Sequence, residues 1–222
     1  MPLAAETAGR LTALGHDVMV SPLLEPVARD WQPPDAAIDA LIFTSPQGPA
    51  FAGGQAARYR GLPAYAVGAR TARAAEAAGF TDVREAGGDV RTLLAAVAAA
   101  GHAQVLHLAG AQRTVAAVPA PLRIVVRAVY EAELAPLGAA AQAALRDGRI
   151  DWALLFSTRS AAHFASRIDA LGADRATLSI AVISPAALAA AGGGWRAAVA
   201  AATPSEAGIL AASGLSCDKA PA

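Results

Sequence analysis

The sequence predicts an α/β protein built as two similar doubly wound parallel-sheet lobes joined by a two-stranded linker. Three observations carry this. Short apolar runs end in small or hydroxyl residues and pass into Ala/Leu-rich helical pattern, as strand-loop-helix units do. The two halves of the chain repeat one another weakly. Two segments rich in Pro, Leu and Glu stand where the chain would cross between lobes.

Along the chain, Leu3, Thr7, Leu11 and Leu14 share one face of a helix expected over 3–14, and Gly15 is its stop. Strands are expected near 18–21, 41–44, 64–67, 104–108, 122–130, 152–156 and 179–183. The intervening Ala/Leu pattern gives helices at roughly 47–58, 70–78, 90–100, 137–147, 160–171, 185–191 and 204–212. The repeat matches Leu41-Ile42-Phe43-Thr44-Ser45 to Leu154-Leu155-Phe156-Ser157-Thr158, Phe43 and Phe156 being 113 residues apart. Val67 and Ile183 lie 116 apart, as do the helix starts at Asp89 and Ser205. Three matched junctions at near-constant spacing imply two lobes with a cleft between them.

The crossings are Ser21-Pro22-Leu23-Leu24-Glu25-Pro26 and Ala128-Val129-Tyr130-Glu131-Ala132-Glu133-Leu134, so linker strands are expected near 20–26 and 128–134. The first lobe is then discontinuous, residues 1–23 with 133–222, and the second is 24–132. A doubly wound lobe opens with a strand, yet this chain passes from Met1-Pro2 directly into a helix. The first lobe is therefore expected to lack its first strand, as in an N-terminally shortened sequence or one with a misplaced start codon.

Composition narrows the function. Lys plus Arg and Asp plus Glu number 18 each, for a net charge of zero. The chain thus lacks the positive field of a nucleic-acid or acidic-membrane binder, and neither partner is expected. Alanine supplies 63 residues, and Arg outnumbers Lys seventeen to one, so the 55% hydrophobic content reflects composition bias rather than an unusually apolar core. Cys217 is the single cysteine, which rules out an internal disulfide or a Cys-rich metal site and suits a cytoplasmic setting. Charges or glycines interrupt every long apolar stretch, so neither a membrane span nor a signal peptide is expected.

The usual fingerprints are missing: no Gly-x-Gly-x-x-Gly after a strand, no Gly-x-x-x-x-Gly-Lys and no Gly-x-Ser-x-Gly. His16, His102, His107 and His163 lack the spacing of metal ligands, and surface or structural roles are the default for each. What remains is a set of small and hydroxyl residues at strand C-terminal ends: Thr44-Ser45, Gly68 with Thr71, Ala109-Gly110, Ser157-Thr158 with Ser160, and Ser184. In an open parallel sheet these ends form the ligand crevice, where N–H groups and helix starts favour anions. Each is by default a helix cap, and caps and ligand sites use the same positions. Arg70, Arg113 and Arg159 lie within a few residues of such ends and could pair with carboxylates. Tyr130, in the proposed linker, is a packing residue by default and a proton donor if it faces a cleft.

These segments resemble the uroporphyrinogen-III synthase family of tetrapyrrole biosynthesis. The resemblance is carried by Thr12-Ala13-Leu14-Gly15-His16-Asp17-Val18 with Ser21-Pro22-Leu23-Leu24, then Leu41 to Gly48, Tyr65-Ala66-Val67-Gly68-Ala69-Arg70-Thr71-Ala72 and Val129-Tyr130-Glu131-Ala132. Leu155-Phe156-Ser157 with Arg159-Ser160-Ala161 and Ile183-Ser184-Pro185 complete it, in family order over nearly the whole chain. It implies a cofactor-independent, metal-free lyase acting on hydroxymethylbilane, with the octacarboxylate substrate held chiefly by backbone N–H groups and a few arginines. A monomer is expected.

Carried over by position, Tyr130 stands where the family's most often proposed acid falls, and Thr71 where its threonine after the Val-Gly turn falls. Ser45, Ser157 and Ser184 fall on its crevice loops, and Arg113 on its basic position after the fourth strand, while Thr44, Gly68, Arg70, Arg159 and Ser160 stand as substrate-binding candidates on the strand-end reading. Two departures stand out. Met1 replaces the arginine of a Thr-Arg-Pro segment, and Ala186-Ala187 replace a hydroxyl pair, which weakens the case for anion contacts on that side of the first lobe. Two other classes fit less well: a catalytically inactive bilobal tetrapyrrole- or anion-binding regulatory protein, and a nucleotide-sugar or dinucleotide enzyme with an atypical loop.

Overall fold

The computed structural model describes residues 2–113 and 117–215; Met1 and Cys217 lie outside them. The chain is α/β and forms two compact units, Met1–Glu25 with Leu134–Ala222, and Pro26–Glu133. We call these unit 1 and unit 2.

Unit 2 is organised by a six-stranded sheet in the order β1-β6-β5-β2-β3-β4. Its strands are β1 (Leu24–Ala28), β2 (Ala40–Phe43), β3 (Pro63–Ala66), β4 (Asp82–Glu85), β5 (Gln104–Gly110) and β6 (Arg123–Leu134). The ladders from β6 to β4 are all parallel, with Leu41 opposite both Ala64 and Leu106. Side chains alternate across the sheet. Leu41, Phe43, Leu106 and Leu108 pack on one face with Tyr59 and Phe80. Ala40, Ile42 and Val105 pack on the other, against Leu93, Leu94 and Val97. Both faces are covered, which is why these strands read as apolar runs.

The helices of unit 2 are α2 (Gln47–Ala50), α3 (Ala69–Ala77) and α4 (Val90–Ala99). The helix expected over 47–58 is in fact two pieces, α2 and a 3₁₀ segment, Gly54–Tyr59. Gly53 breaks it with φ of +67°, a conformation open to glycine. The indole N–H of Trp31 donates to the Ala52 carbonyl in the break, at 2.9 Å.

Unit 1 holds α1 (Pro2–Ala13), α5 (Ala139–Arg146), β7 (Trp152–Leu155), α6 (Thr158–Leu171), β8 (Ser179–Val182), α7 (Pro185–Ala191), β9 (Ala197–Ala200) and α8 (Glu206–Ser213). Its sheet is β7-β8-β9, parallel throughout. Ile180 and Val182 face a core of Leu155, Phe164, Ile168 and Trp195. Ala181, on the opposite face, meets Ile209 of α8.

The internal repeat is visible as one order of elements in both units: β2-β3-β4 with α2 to α4, and β7-β8-β9 with α6 to α8. The helix starts at Asp89 and Ser205 are both caps, accepting from the N–H of Thr92 at 2.9 Å and of Gly208 at 3.0 Å.

The strand expected near 18–21 does not form; residues 16–22 carry no regular structure, and the strand begins at Leu24. A strand needs a neighbour for its N–H and C=O groups. In unit 2, β6 joins the sheet through β5, and among the described residues unit 1 has no counterpart of β5 beside β7. Met19 and Val20 are left exposed at 44% and 47%. Two strands were not expected from sequence. β4 is an edge strand, Asp-Val-Arg-Glu, whose charges hide its pattern. β9 is Ala-Ala-Val-Ala, which reads as helix until its register against Ser179–Val182 makes it a strand.

Candidate active site

In unit 2 the chain runs outward from β2 through β3 to β4, then returns to the other side of β2 to lay down β5 and β6. The direction reverses between β2 and β5, the point at which an open α/β sheet leaves a crevice outside its strand C-terminal ends. Thr44-Ser45 follow β2 here, and Ala111 to Arg113 follow β5. Gly48 lets α2 close on this junction: a Cβ there would lie 2.4 Å from the Leu108 carbonyl oxygen.

Thr44 and His107 meet at the reversal, Thr44 Oγ1 lying 3.0 Å from His107 Nε2. Thr44 is half-buried and His107 is 8% exposed. Burial, with a smaller contribution from the nearby Arg113 guanidinium, pushes the His107 imidazole down to about 4. His107 is therefore neutral near pH 7. Sequence reasoning assigned it a default structural role, since its value rests on the neighbour across the ladder and not on spacing.

The depressed value sets a stability prediction. Between about pH 6.5 and 4 the unfolded chain binds a proton at this site that the folded chain refuses, so stability falls as the pH drops through that window. The loss is about 3 kcal/mol by pH 4. Urea unfolding at pH 7 and pH 4 should show a smaller loss for His107→Leu than for the wild type; equal losses would remove His107 as the cause.

Tyr130 lies on β6 opposite Gly110, where the β5/β6 register shifts. Its ring packs on Gly110, whose Cβ, if present, would lie 2.9 Å from the ring, and its centroid is 5.8 Å from that of Phe51. The Ala111 N–H donates to the Tyr130 carbonyl at 2.9 Å. Tyr130 thus belongs to the Phe43–Leu108 face, whereas strand alternation turns Thr44 and His107 to the Ile42–Val105 face.

The third junction of this unit follows β3. Gly68 caps α3 with extended backbone, its carbonyl accepting from the Thr71 N–H at 2.9 Å. Thr71 is buried at 3% exposure, and Arg70 is half-buried beside it. Thr44, Ser45, Gly68, Arg70, Thr71 and Arg113 all lie just beyond strand ends of unit 2, whereas Tyr130 lies within β6. Ser45 also accepts from the Gln47 N–H at 3.3 Å.

In unit 1 the corresponding hydroxyls act as caps. Ser157 Oγ accepts from the Ser160 N–H at 2.9 Å, and Ser160 Oγ accepts from the Ser157 N–H at 3.1 Å, a reciprocal capping box on α6. Ser184 Oγ accepts from the Ala187 N–H at 3.3 Å at the start of α7. Arg159 is exposed in the first turn of α6. Ser157, Arg159 and Ser160 follow β7 and Ser184 follows β8, all in a different unit from Tyr130.

Comparison with known proteins bears on what these strand ends serve. The family model described as uroporphyrinogen-III synthase HemD matches residues 5–211, reaching from α1 to α8 and taking in both units.

The chain belongs to the uroporphyrinogen-III synthase family.

The fold is similar to that of uroporphyrinogen-III synthetase from Helicobacter pylori 26695, at a TM-score of 0.54 and 16% identity, over 85% of this chain and 88% of that one. A mutant uroporphyrinogen III synthase from the extremely thermophilic bacterium Thermus thermophilus aligns at a TM-score of 0.40 and 13% identity, over 90% and 89%. Among curated protein sequences none matches. Membership places the chain among enzymes of porphyrin and heme biosynthesis, with a small-molecule tetrapyrrole substrate. No helix among the described residues is long and apolar enough to cross a membrane.

Proposed function

We propose that the protein is a cofactor-independent hydro-lyase that cyclises hydroxymethylbilane to uroporphyrinogen III. The observation that carries this reading is the family match over residues 5–211. The hydroxyl- and Arg-bearing strand ends of unit 2 support it, because their donors suit an octacarboxylate.

The chemistry asks little of nucleophiles. The terminal C–OH bond breaks with a proton supplied to the departing oxygen, so water leaves and an azafulvene remains. Attack by the substituted carbon of ring D on that electrophilic carbon gives a spiro intermediate. Cleavage and re-closure then invert ring D, and one proton is returned to solvent. Unaided closure gives the non-inverted isomer, so the protein's contribution is positioning and exclusion of the shorter path. Tyr130 is the proposed general acid, and Thr71 is the second proposed catalytic residue. Thr44, Ser45, Gly68, Arg70 and Arg113 are the proposed carboxylate contacts in unit 2, and Ser157, Arg159, Ser160 and Ser184 those in unit 1. In unit 1 the Ser157 hydroxyl donates to Ser160 Oγ and the Ser160 hydroxyl to the Ser157 carbonyl, each at 2.9 Å, so either would have to give up a bond of the cap to donate to substrate.

Incubation with enzymatically generated hydroxymethylbilane should yield the type III isomer; type I alone would reject the reading. Tight tetrapyrrole binding without isomer conversion would instead indicate a regulatory binding protein. Arg113, exposed after β5, is expected to act on binding, so Arg113→Ala should raise KM several-fold at nearly constant kcat. A fall in kcat at unchanged KM would contradict that role.

A further inference from the structure

We propose that His107 is a positioning residue that makes the Thr44 hydroxyl an outward hydrogen-bond donor for a carboxylate of the substrate, at the reversal between β2 and β5. This deepens the proposed synthase function and rests on it.

The geometry is a relay of two groups at different depths. His107, on β5, is almost wholly buried, and Thr44, at the end of β2, is half-buried; they meet at 3.0 Å. A neutral imidazole carries one N–H. With that proton on Nε2, His107 donates to Thr44 Oγ1, and the single hydroxyl proton of Thr44 must point away from His107, which lets it turn to the crevice. With the proton on Nδ1, Nε2 takes the hydroxyl proton and Thr44 offers only lone pairs outward. The tautomer therefore decides which ligand class Thr44 accepts.

One observation favours the donor arrangement. Arg113 lies close enough for its charge to act on His107, and a guanidinium beside the crevice attracts anions and repels cationic donors. β5, which carries His107, is itself held between β2 and β6, so the strand that bears the imidazole is in place before the anion arrives. The chemistry recognised is that of an aliphatic carboxylate, which accepts only.

The test compares KM and kcat for hydroxymethylbilane in the wild type, His107→Leu, Thr44→Val, the double variant and His107→Gln, with the dissociation constant of uroporphyrinogen III measured for each. A glutamine amide can place a donor where Nε2 lies. His107→Leu and Thr44→Val should each raise KM and the product dissociation constant about tenfold, the worth of one hydrogen bond to a charged acceptor, with kcat little changed. The double variant should be no worse than the poorer single one, and His107→Gln should recover most of the affinity. Additive losses, a fall in kcat at constant KM, or no recovery by Gln would overturn the proposal. Full retention of KM in a folded His107→Leu would do the same. A wild type that forms only type I would overturn the synthase reading itself, whereas type III formation with an indifferent His107→Leu would overturn this inference alone.

Discussion

Tyr130→Phe should lower kcat by about 10²–10⁴-fold, the contribution of one well-placed acid, and leave the fold and KM close to wild type. The separation is possible because the ring and the hydroxyl do different things. The ring packs against Gly110 and Phe51, contacts that phenylalanine keeps. Only the O–H is lost, and with it the proton for the departing hydroxide; water substitutes poorly, which leaves a residual rate. Steady-state kinetics on hydroxymethylbilane, with thermal unfolding as the control for folding, check both halves. An unchanged kcat would remove Tyr130 from the mechanism.

Gly48→Ala should destabilise unit 2 by about 3 kcal/mol, at the upper end of what overpacking costs. The added methyl would stand 2.4 Å from the Leu108 carbonyl oxygen and 3.3 Å from Phe43 Cδ1. The first neighbour is backbone of a central strand and cannot rotate away, so α2 must lift from β5. That displacement also moves Ser45 and Phe51, so activity should fall with stability. Gly9→Ala is the contrasting case: nothing lies within 4 Å of its Cβ, and in the helix interior of α1 the change should stabilise by about 0.5–1 kcal/mol. Urea unfolding of the two variants beside wild type measures the difference; a neutral Gly48→Ala would mean that α2 is not held by this contact.

The candidate positions were legible because parallel α/β folding puts the loops that can meet a ligand at one kind of place, the strand C-terminal ends. A reader who finds where Leu41-Ile42-Phe43 stops has found Thr44 and Ser45, and the same holds for Gly68 after β3 and Ser184 after β8. What those residues do at their places was less legible. Ser157, Ser160 and Ser184 have the signature of ligand contacts and of caps alike, and their hydrogen bonds make them caps. β4 and β9 escaped because one is charged and the other alanine-rich, so neither carries the period by which a strand is recognised.

The sequence by itself determined the α/β class, the repeated junctions and the strand-end positions of the hydroxyls and arginines, since all of these follow from local periodicity and the residues that interrupt it. Only tertiary structure decided that residues 18–21 form no strand, because ladder formation depends on a neighbour that no local pattern supplies. It alone also joined His107 to Thr44. Sixty-three residues separate the two, and what makes that imidazole neutral and directional is burial in a sheet whose strand order local sequence does not specify.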